Sequence, residues 1–211
     1  MVIEDIMQED VHTLTSVHTI RDAIQLMKEY RIRHIPIVDE KLELQGIVTD
    51  RDIKEKTQPT NGKKSILDTP LNEVMTANPL TAHPLDFVED AAVTFYEQKI
   101  GALPIVRNGK LCGIITETDV LYMYIELTGA NKPSSHLELR VPDVPGSLFE
   151  VTKILYDHHV NVLSVLVYPD KEQPTSKILA IRVNTMNPLP AIETLKEEGI
   201  DVVWPATPGT K

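Results

Sequence analysis

Two short stretches carry the residues best suited to chemistry: Gly46-Ile47-Val48-Thr49-Asp50-Arg51-Asp52-Ile53 and Gly113-Ile114-Ile115-Thr116-Glu117-Thr118-Asp119-Val120. In each, an apolar pair that reads as a buried strand runs into a threonine, and an aspartate follows three residues later. The spacing predicts that Thr49 and Thr116 stand where a strand hands over to a helix. Asp52 and Asp119 then fall in the first helical turn, where the helix dipole favours a carboxylate. The hydroxyl and the free amides suit a phosphate, and the carboxylate suits the paired hydroxyls of a ribose. The same residues also serve simply to cap helices. Their duplication in one context favours the ligand-binding reading.

Charge separates the two stretches. Arg51 lies beside Asp52, and Arg33 and His34 precede that motif, so all three are candidate phosphate ligands. The matching positions on the Asp119 side are Thr118, Gly101 and Ala102, with Glu117 close by. The expectation is phosphate at the Asp52 side, and a less charged ligand or none at the Asp119 side. The plain alternative is that Arg33 and Arg51 pair with surface carboxylates and contribute little.

The elements that position these residues repeat as well. Aligning Met7 with Met75 also aligns Thr13 with Thr81, Asp22 with Asp90, Ala23 with Ala91, Ile32 with Ile100 and Pro36 with Pro104. One deletion in the loop after Val38 and Val106 then brings Gly46 onto Gly113. Each half reads as an entry segment, an amphipathic helix, a strand, a turn, and the Thr-x-x-Asp strand and helix. The core-facing helix stripes are Ile20, Ala23, Ile24 and Met27, capped by Thr19, and Val88, Ala91, Ala92 and Phe95. Lys54 to Pro70 is polar and reads as the connector, and Gly129 to Ser135 as a linker to a separate domain.

This pattern closely resembles a tandem pair of CBS domains, with repeats at 1–60 and 70–128. The resemblance implies a pseudo-twofold disc with two clefts that bind adenine nucleotides or adenosyl compounds, each cleft drawing on both repeats. One would join Thr49, Arg51 and Asp52 to Ile47, Arg33, His34, Ile100, Gly101 and Ala102. The other would join Thr116, Asp119 and Ile114 to Ile32, Arg33 and His34. Thr13 and its repeat counterpart Thr81 would add contacts from the entry segments.

Beyond residue 135 the pattern changes. Leu137, Leu139 and Val141 alternate with Glu138 and Arg140 as a half-buried strand. A Pro142–Gly146 loop follows, and Ser147 and Glu150 have the spacing of a capping box. The helix after it is expected to bury Leu148, Val151, Ile154 and Leu155. Val160 to Tyr168 and Lys177 to Val183 read as strands, with Leu163, Val165 and Val167 as an apolar face. A helix starting at Pro190 (Leu189, Ile192, Leu195) ends at Gly199. Ile200 to Trp204 is a last strand before a loose Pro/Gly tail. The order βαββαβ is ferredoxin-like. With the DVPGSL run at 143–148 and Val160-Asn161-Val162, residues 136–205 resemble an ACT domain, making the whole chain α+β. That resemblance implies either an amino-acid site using Asp143, Gly146 and Asn161, or pairing with a second copy and no ligand. Two CBS repeats followed by one ACT domain resemble regulators of acetoin utilization, which implies a bacterial route for acetoin or butanediol. No residue in the sequence speaks for acetoin itself.

Composition narrows the field. The chain has 211 residues, 42 % apolar, with a net charge of −10 and no long Lys/Arg run. Nucleic acid and anionic membrane are therefore poor partners. The single cysteine, Cys112, sits in an apolar strand and reads as a small core residue; one cysteine excludes an internal disulfide and fits a reducing compartment. Nothing reads as a signal peptide or membrane span, so the expectation is cytoplasmic. No nucleophile elbow, phosphate loop or dinucleotide fingerprint occurs, and no His/Cys spacing fits a metal. The expectation is a non-catalytic sensor with adenine nucleotide as regulatory ligand rather than cofactor, a homodimer or larger, acting on an unidentified regulated protein. A dimerisation scaffold or an amino-acid-responsive regulator is the alternative.

Overall fold

A computed structural model of the chain describes residues 1–57 and 66–206. The chain forms two compact units, Met1–Leu121 and Tyr122–Lys211.

In the first unit, α1 (Ile20–Tyr30) leads into an antiparallel pair, β1 (His34–Val38) and β2 (Leu44–Thr49), and then α2 (Asp50–Lys56). The second repeat copies this with α3 (Val88–Gln98), β4 (Ala102–Arg107), β5 (Lys110–Thr116) and α4 (Glu117–Thr128), whose last turns belong to the second unit. Both strand pairs carry a bulge at the same place, Ile37/Val38 and Ile105/Val106. Ile20, Ala23 and Met27 of α1 pack on Ile35, Ile37 and Val48, as their helical spacing requires. Val88, Ala91 and Phe95 form the buried stripe of α3.

The entry segments are exchanged between repeats. Leu71 and Val74, which precede the second repeat, are buried in the first repeat's core. The short strand β3 (Thr76–Ala77) pairs with Gly46 and Ile47 of β2. Conversely, Gln8 from the chain's start bridges Ile114, and Ile3 hydrogen-bonds to Asp86. The glycines permit this. A Cβ on Gly113 would lie 2.6 Å from Met7 Sδ, and one on Gly46 would lie 2.6 Å from Met75 Sδ and 2.9 Å from the Thr76 carbonyl. Lys54–Lys56, expected in the connector, form the last turn of α2. The connector's Pro59-Thr60-Asn61-Gly62 and the tail after residue 206 lie outside the described residues.

The second unit holds β6 (Ser135–Pro142), α5 (Ser147–Asp157), β7 (Val162–Pro169), β8 (Ser176–Val183), α6 (Leu189–Glu197) and β9 (Asp201–Trp204). The antiparallel sheet runs β7-β8-β6-β9, the ferredoxin-like order. Leu137, Leu139 and Val141 meet Val151, Leu155, Ile192 and Leu195 in one core.

Three local expectations need correction here. Ser147 opens α5 instead of capping it: its hydroxyl donates to the Pro142 and Val144 carbonyls, and Gly146 at φ 102° takes the N-cap position. Leu148 in the first turn of α5 and Leu189 at the start of α6, both expected to be buried, are exposed. The apolar face of β7 is Val162, Val165 and Val167, opposite Val183, Ile181 and Leu179; a bulge after Val162 puts Leu163 out of that register.

Candidate functional site

The two motifs fold as the spacing requires. Thr49 is the N-cap of α2, and both its backbone amide (2.8 Å) and its hydroxyl (2.7 Å) donate to Asp52 Oδ2. The amide of Asp52 donates back to Thr49 Oγ1 at 3.3 Å. At Thr116 and Asp119 the same three bonds measure 2.8, 2.7 and 3.3 Å. The hydroxyls therefore spend their proton on the carboxylate, which corrects the expectation of a free hydroxyl donor. What remains for a ligand is the Oδ1 of each aspartate, which takes no hydrogen bond among the described residues, and the cationic groups nearby.

A third copy shows that the box alone is not a site. Thr19 and Asp22 at the start of α1 make the same contacts, at 2.8, 2.8 and 3.4 Å, and neither residue lines the clefts described next. There the box only closes a helix end, and the bonds hold the Asp22 carboxyl below the usual carboxylate range.

The boxes of α2 and α4 each open onto a cleft within the first unit. The first, about 600 Å³, brings together Ile47, Thr49, Asp50, Arg51 and Asp52 with Lys99, Ile100, Gly101, Ala102 and Glu117. Arg33 and His34 complete that wall, and Thr76, Asn78, Pro79 and Leu80 close it from the exchanged entry segment. The second, about 380 Å³, gathers Ile114, Thr116, Thr118 and Asp119 with Arg31, Ile32, Arg33 and His34. Gln8, Asp10, Val11 and His12 come from the other entry segment.

The placement corrects the division of charge read from the sequence. Gly101, Ala102 and Glu117 line the Asp52 cleft, not the Asp119 cleft, while Arg33 and His34 line both. Thr13 and Thr81 line neither; their neighbours Leu14 and Ala82 bridge to Ile37 and Ile105 along the strands. Sequence reasoning also missed Arg31 and Lys99. They are repeat counterparts, each ending a helix in the left-handed region (φ 55° and 56°), where glycine is the common choice. A cation kept at a strained position in both repeats, facing a cleft in each, was the signal to read.

The arginines of the clefts are unspent. Arg21 pairs with Asp68 and Arg107 with Glu4, both at 2.9 Å, and Arg140 holds Asp170, Glu172 and Asp201. Arg31, Arg33 and Arg51 make no ion pair among the described residues, although acidic groups outnumber basic ones 31 to 21. Arg33 still acts on a carboxylate at longer range: Asp50, bonded by Lys54 at 2.8 Å, is held below the usual carboxylate range by Lys54 and, to a lesser extent, by the charge of Arg33. Burial, with the nearby charge of Arg33, pushes the His34 imidazole below its usual range, so it stands neutral at pH 7. Its Nε2 lies 3.1 Å from where a Cβ on Gly101 would be. In the second cleft, the His12 ring lies against Tyr30 with centroids 3.6 Å apart.

The remaining candidates have structural occupations. Asp143 pairs with Lys177 at 2.7 Å, and the Asn161 carbonyl accepts from the Asn184 amide at 2.8 Å. His158 Nε2 bonds Thr194 Oγ1 at 2.8 Å, and the Cys112 thiol, pushed up by burial, donates to the Ile105 carbonyl. Among the described residues no group of His, Cys, Asp or Glu could hold a metal ion, and no helix is long and apolar enough to cross a membrane.

Exchanged entry segments, paired Thr-x-x-Asp boxes and two clefts between repeats define the class. The CBS-domain model matches residues 3–57 and 71–126, more than half the chain, and the ACT-domain model matches 135–199. The chain belongs to the CBS-domain family and carries an ACT domain after its CBS pair. Both kinds of domain are regulatory modules. Among solved structures, a putative acetoin utilization protein (AcuB) from Vibrio cholerae is 36 % identical, with TM-score 0.56, over 64 % of this chain and 98 % of that one. The CBS domain pair of protein MJ0100, in complex with 5′-methylthioadenosine and S-adenosyl-L-methionine, is 28 % identical, with TM-score 0.54, over 63 % and 98 %. CBSX2 in complex with AMP is 26 % identical, with TM-score 0.51, over 59 % and 96 %. Of curated relatives, the CBS domain-containing protein YhcV of Bacillus subtilis is 34 % identical over 56 % of this chain and 81 % of its own length. The chain spans only about a quarter of another, the homoserine O-acetyltransferase of Methanococcus vannielii, at 32 % identity.

Proposed function

We propose that this chain is a non-catalytic sensor that binds an adenine nucleotide or adenosyl compound in its CBS clefts and passes the occupancy to a regulated protein. The observation that carries the reading is a set of cations that make no ion pair among the described residues of an acidic chain, although Lys99 Nζ stands 4.1 Å over the Tyr96 ring. Arg51, Arg33 and Lys99 gather at the cleft that also offers the Asp52 carboxylate, and Arg31 and Arg33 at the Asp119 cleft. Guanidinium groups suit a phosphate, and a carboxylate suits a ribose diol. That the MJ0100 pair is complexed with adenosyl compounds and CBSX2 with AMP supports this ligand class. The similarity to the acetoin utilization protein from Vibrio cholerae supports a regulatory place in acetoin or butanediol breakdown, in the cytoplasm.

The sensor acts as a homodimer or larger. The edge strand β7 leaves Leu166, Val167 and Tyr168 exposed, and α5 leaves Phe149 and Tyr156 exposed, so the ACT unit carries apolar surface for a second copy. Asp143, Gly146 and Asn161 are the proposed amino-acid contacts should the ACT unit also take an effector. Thermal melts with AMP, ADP, ATP and S-adenosyl-methionine test the ligand class. At a hundred times its dissociation constant, a ligand of the clefts stabilises the fold by about 2.7 kcal/mol. Melts that none of the four shifts leave the scaffold reading in its place.

A further inference from the structure

We propose that the two clefts compete for Arg33, so that an anionic ligand bound in one weakens binding in the other; this rests on the nucleotide reading above. Pseudo-twofold symmetry alone would give each cleft its own copy of every wall residue. Arg31 and Lys99 obey that rule, one to each cleft. Arg33 does not. Its repeat counterpart is Gly101, which has no side chain to offer, and Arg33 lines both clefts itself.

The geometry around the shared wall explains why repeat 1 alone supplies it. Gly101 leaves the space that the His34 ring occupies, with Nε2 only 3.1 Å from the missing Cβ. His34, counterpart of Ala102, therefore also borders both clefts. Arg33 is exposed and makes no ion pair among the described residues; the carboxylate on which its charge acts, Asp50, is already paired with Lys54 at 2.8 Å. One guanidinium cannot give its paired donors to two phosphates at once. The first phosphate takes it, and the second must bind with Arg51 and Lys99, or with Arg31, alone. Withdrawing one charge-assisted contact weakens a site by roughly tenfold or more.

Calorimetric titration of the full chain with AMP tests the competition. Asp119→Ala and Asp52→Ala each report one cleft alone, and their separate affinities fix what independent binding would give. The native chain is expected to bind two AMP with a combined affinity about tenfold below that product, which is the coupling factor. Arg33→Gln, an exposed change that leaves the core intact, is expected to weaken the first step and bring the coupling factor to one. If an aspartate variant fails to fold, the narrowed gap between the two steps in Arg33→Gln still decides. Two independent steps in the native chain, an unchanged gap in Arg33→Gln, or a cleft that binds nothing when alone overturns the competition and leaves the sensor reading standing. No AMP binding in any form overturns both.

Discussion

Met7 Sδ lies 2.6 Å from the position that a Cβ on Gly113 would take, and Met75 stands in the same relation to Gly46. Each entry segment thus crosses to the other repeat and leans on the glycine that opens its Thr-x-x-Asp strand. An alanine at either glycine must push a methionine aside. At Gly46 it also meets the Thr76 carbonyl at 2.9 Å, while at Gly113 the nearest backbone atom, the Gln8 carbonyl, is 3.3 Å away. A flexible thioether yields more readily than backbone. Gly46→Ala is expected to lose about 1–3 kcal/mol of stability in denaturant melts, and Gly113→Ala less. The reverse order would contradict the packing described.

Thr19 and Thr49 cap helices with the same geometry but only Thr49 borders a cleft. Each change to alanine is expected to lose about 0.5–2 kcal/mol of stability. Only Thr49→Ala should also weaken AMP binding, because of the two caps only that one holds a carboxylate at a cleft. Equal losses of binding in both would mean that the effect is one of general stability.

Acid should act through His34 before it acts on the carboxylates. Burial and the charge of Arg33 lower the folded-state pKa of His34 below 6.5, outweighing the opposing charges of Asp50, Glu117 and Asp52. Below pH 6.5 the unfolded chain takes up this proton while the folded chain does not, so stability falls as pH drops from 6.5 towards the folded-state value. Asp22 and Asp50 have lowered values too, and their stabilisation is lost only below pH 3.8 as pH falls through their folded values. His34→Gln is expected to flatten the stability profile just below pH 6.5 and to change the lower limb little, since the charge of His34 is the smallest of the causes that lower Asp50. An unchanged profile there would show that another group titrates.

In the ACT unit, Arg140 ties β6 to the buried Asp170 and to the exposed Glu172 and Asp201. Removing the arginine takes the charged partner from a buried carboxylate and leaves it backbone amides such as that of Glu172 at 2.8 Å, whereas removing Asp201 breaks only a surface pair. Arg140→Gln is therefore expected to lower the melting temperature of the chain clearly more than Asp201→Asn. Equal shifts would mean that Asp170 finds water or another partner.

The repeat and the helix caps were legible in the sequence because they follow from local rules. About half of the cleft residues were named through the resemblance to paired CBS domains, whereas the entry-segment walls of Thr76, Asn78, Pro79 and Leu80 and of Gln8, Asp10, Val11 and His12 were not. Thr-x-x-Asp makes a capping box wherever it falls, and the stripe Ile20, Ala23, Met27 faces inward by its period. What the sequence hid depends on distance along the chain. That His34 borders both clefts depends on Gly101, far away in sequence, which leaves the space its ring occupies. Leu163 lost its expected place because a bulge shifts the alternation of β7. Arg31 and Lys99 were visible as a pair, but their meaning lay in a backbone angle that sequence alone does not display.

The central claim is that the Asp52 and Asp119 clefts hold an adenine nucleotide. Equilibrium dialysis of AMP against the native chain and against the double variant Asp52→Ala/Asp119→Ala tests it most directly. The account predicts saturable binding to the native chain and a loss of roughly ten- to a hundredfold in affinity in the folded double variant. Equal binding by both chains would place the nucleotide elsewhere and contradict the account.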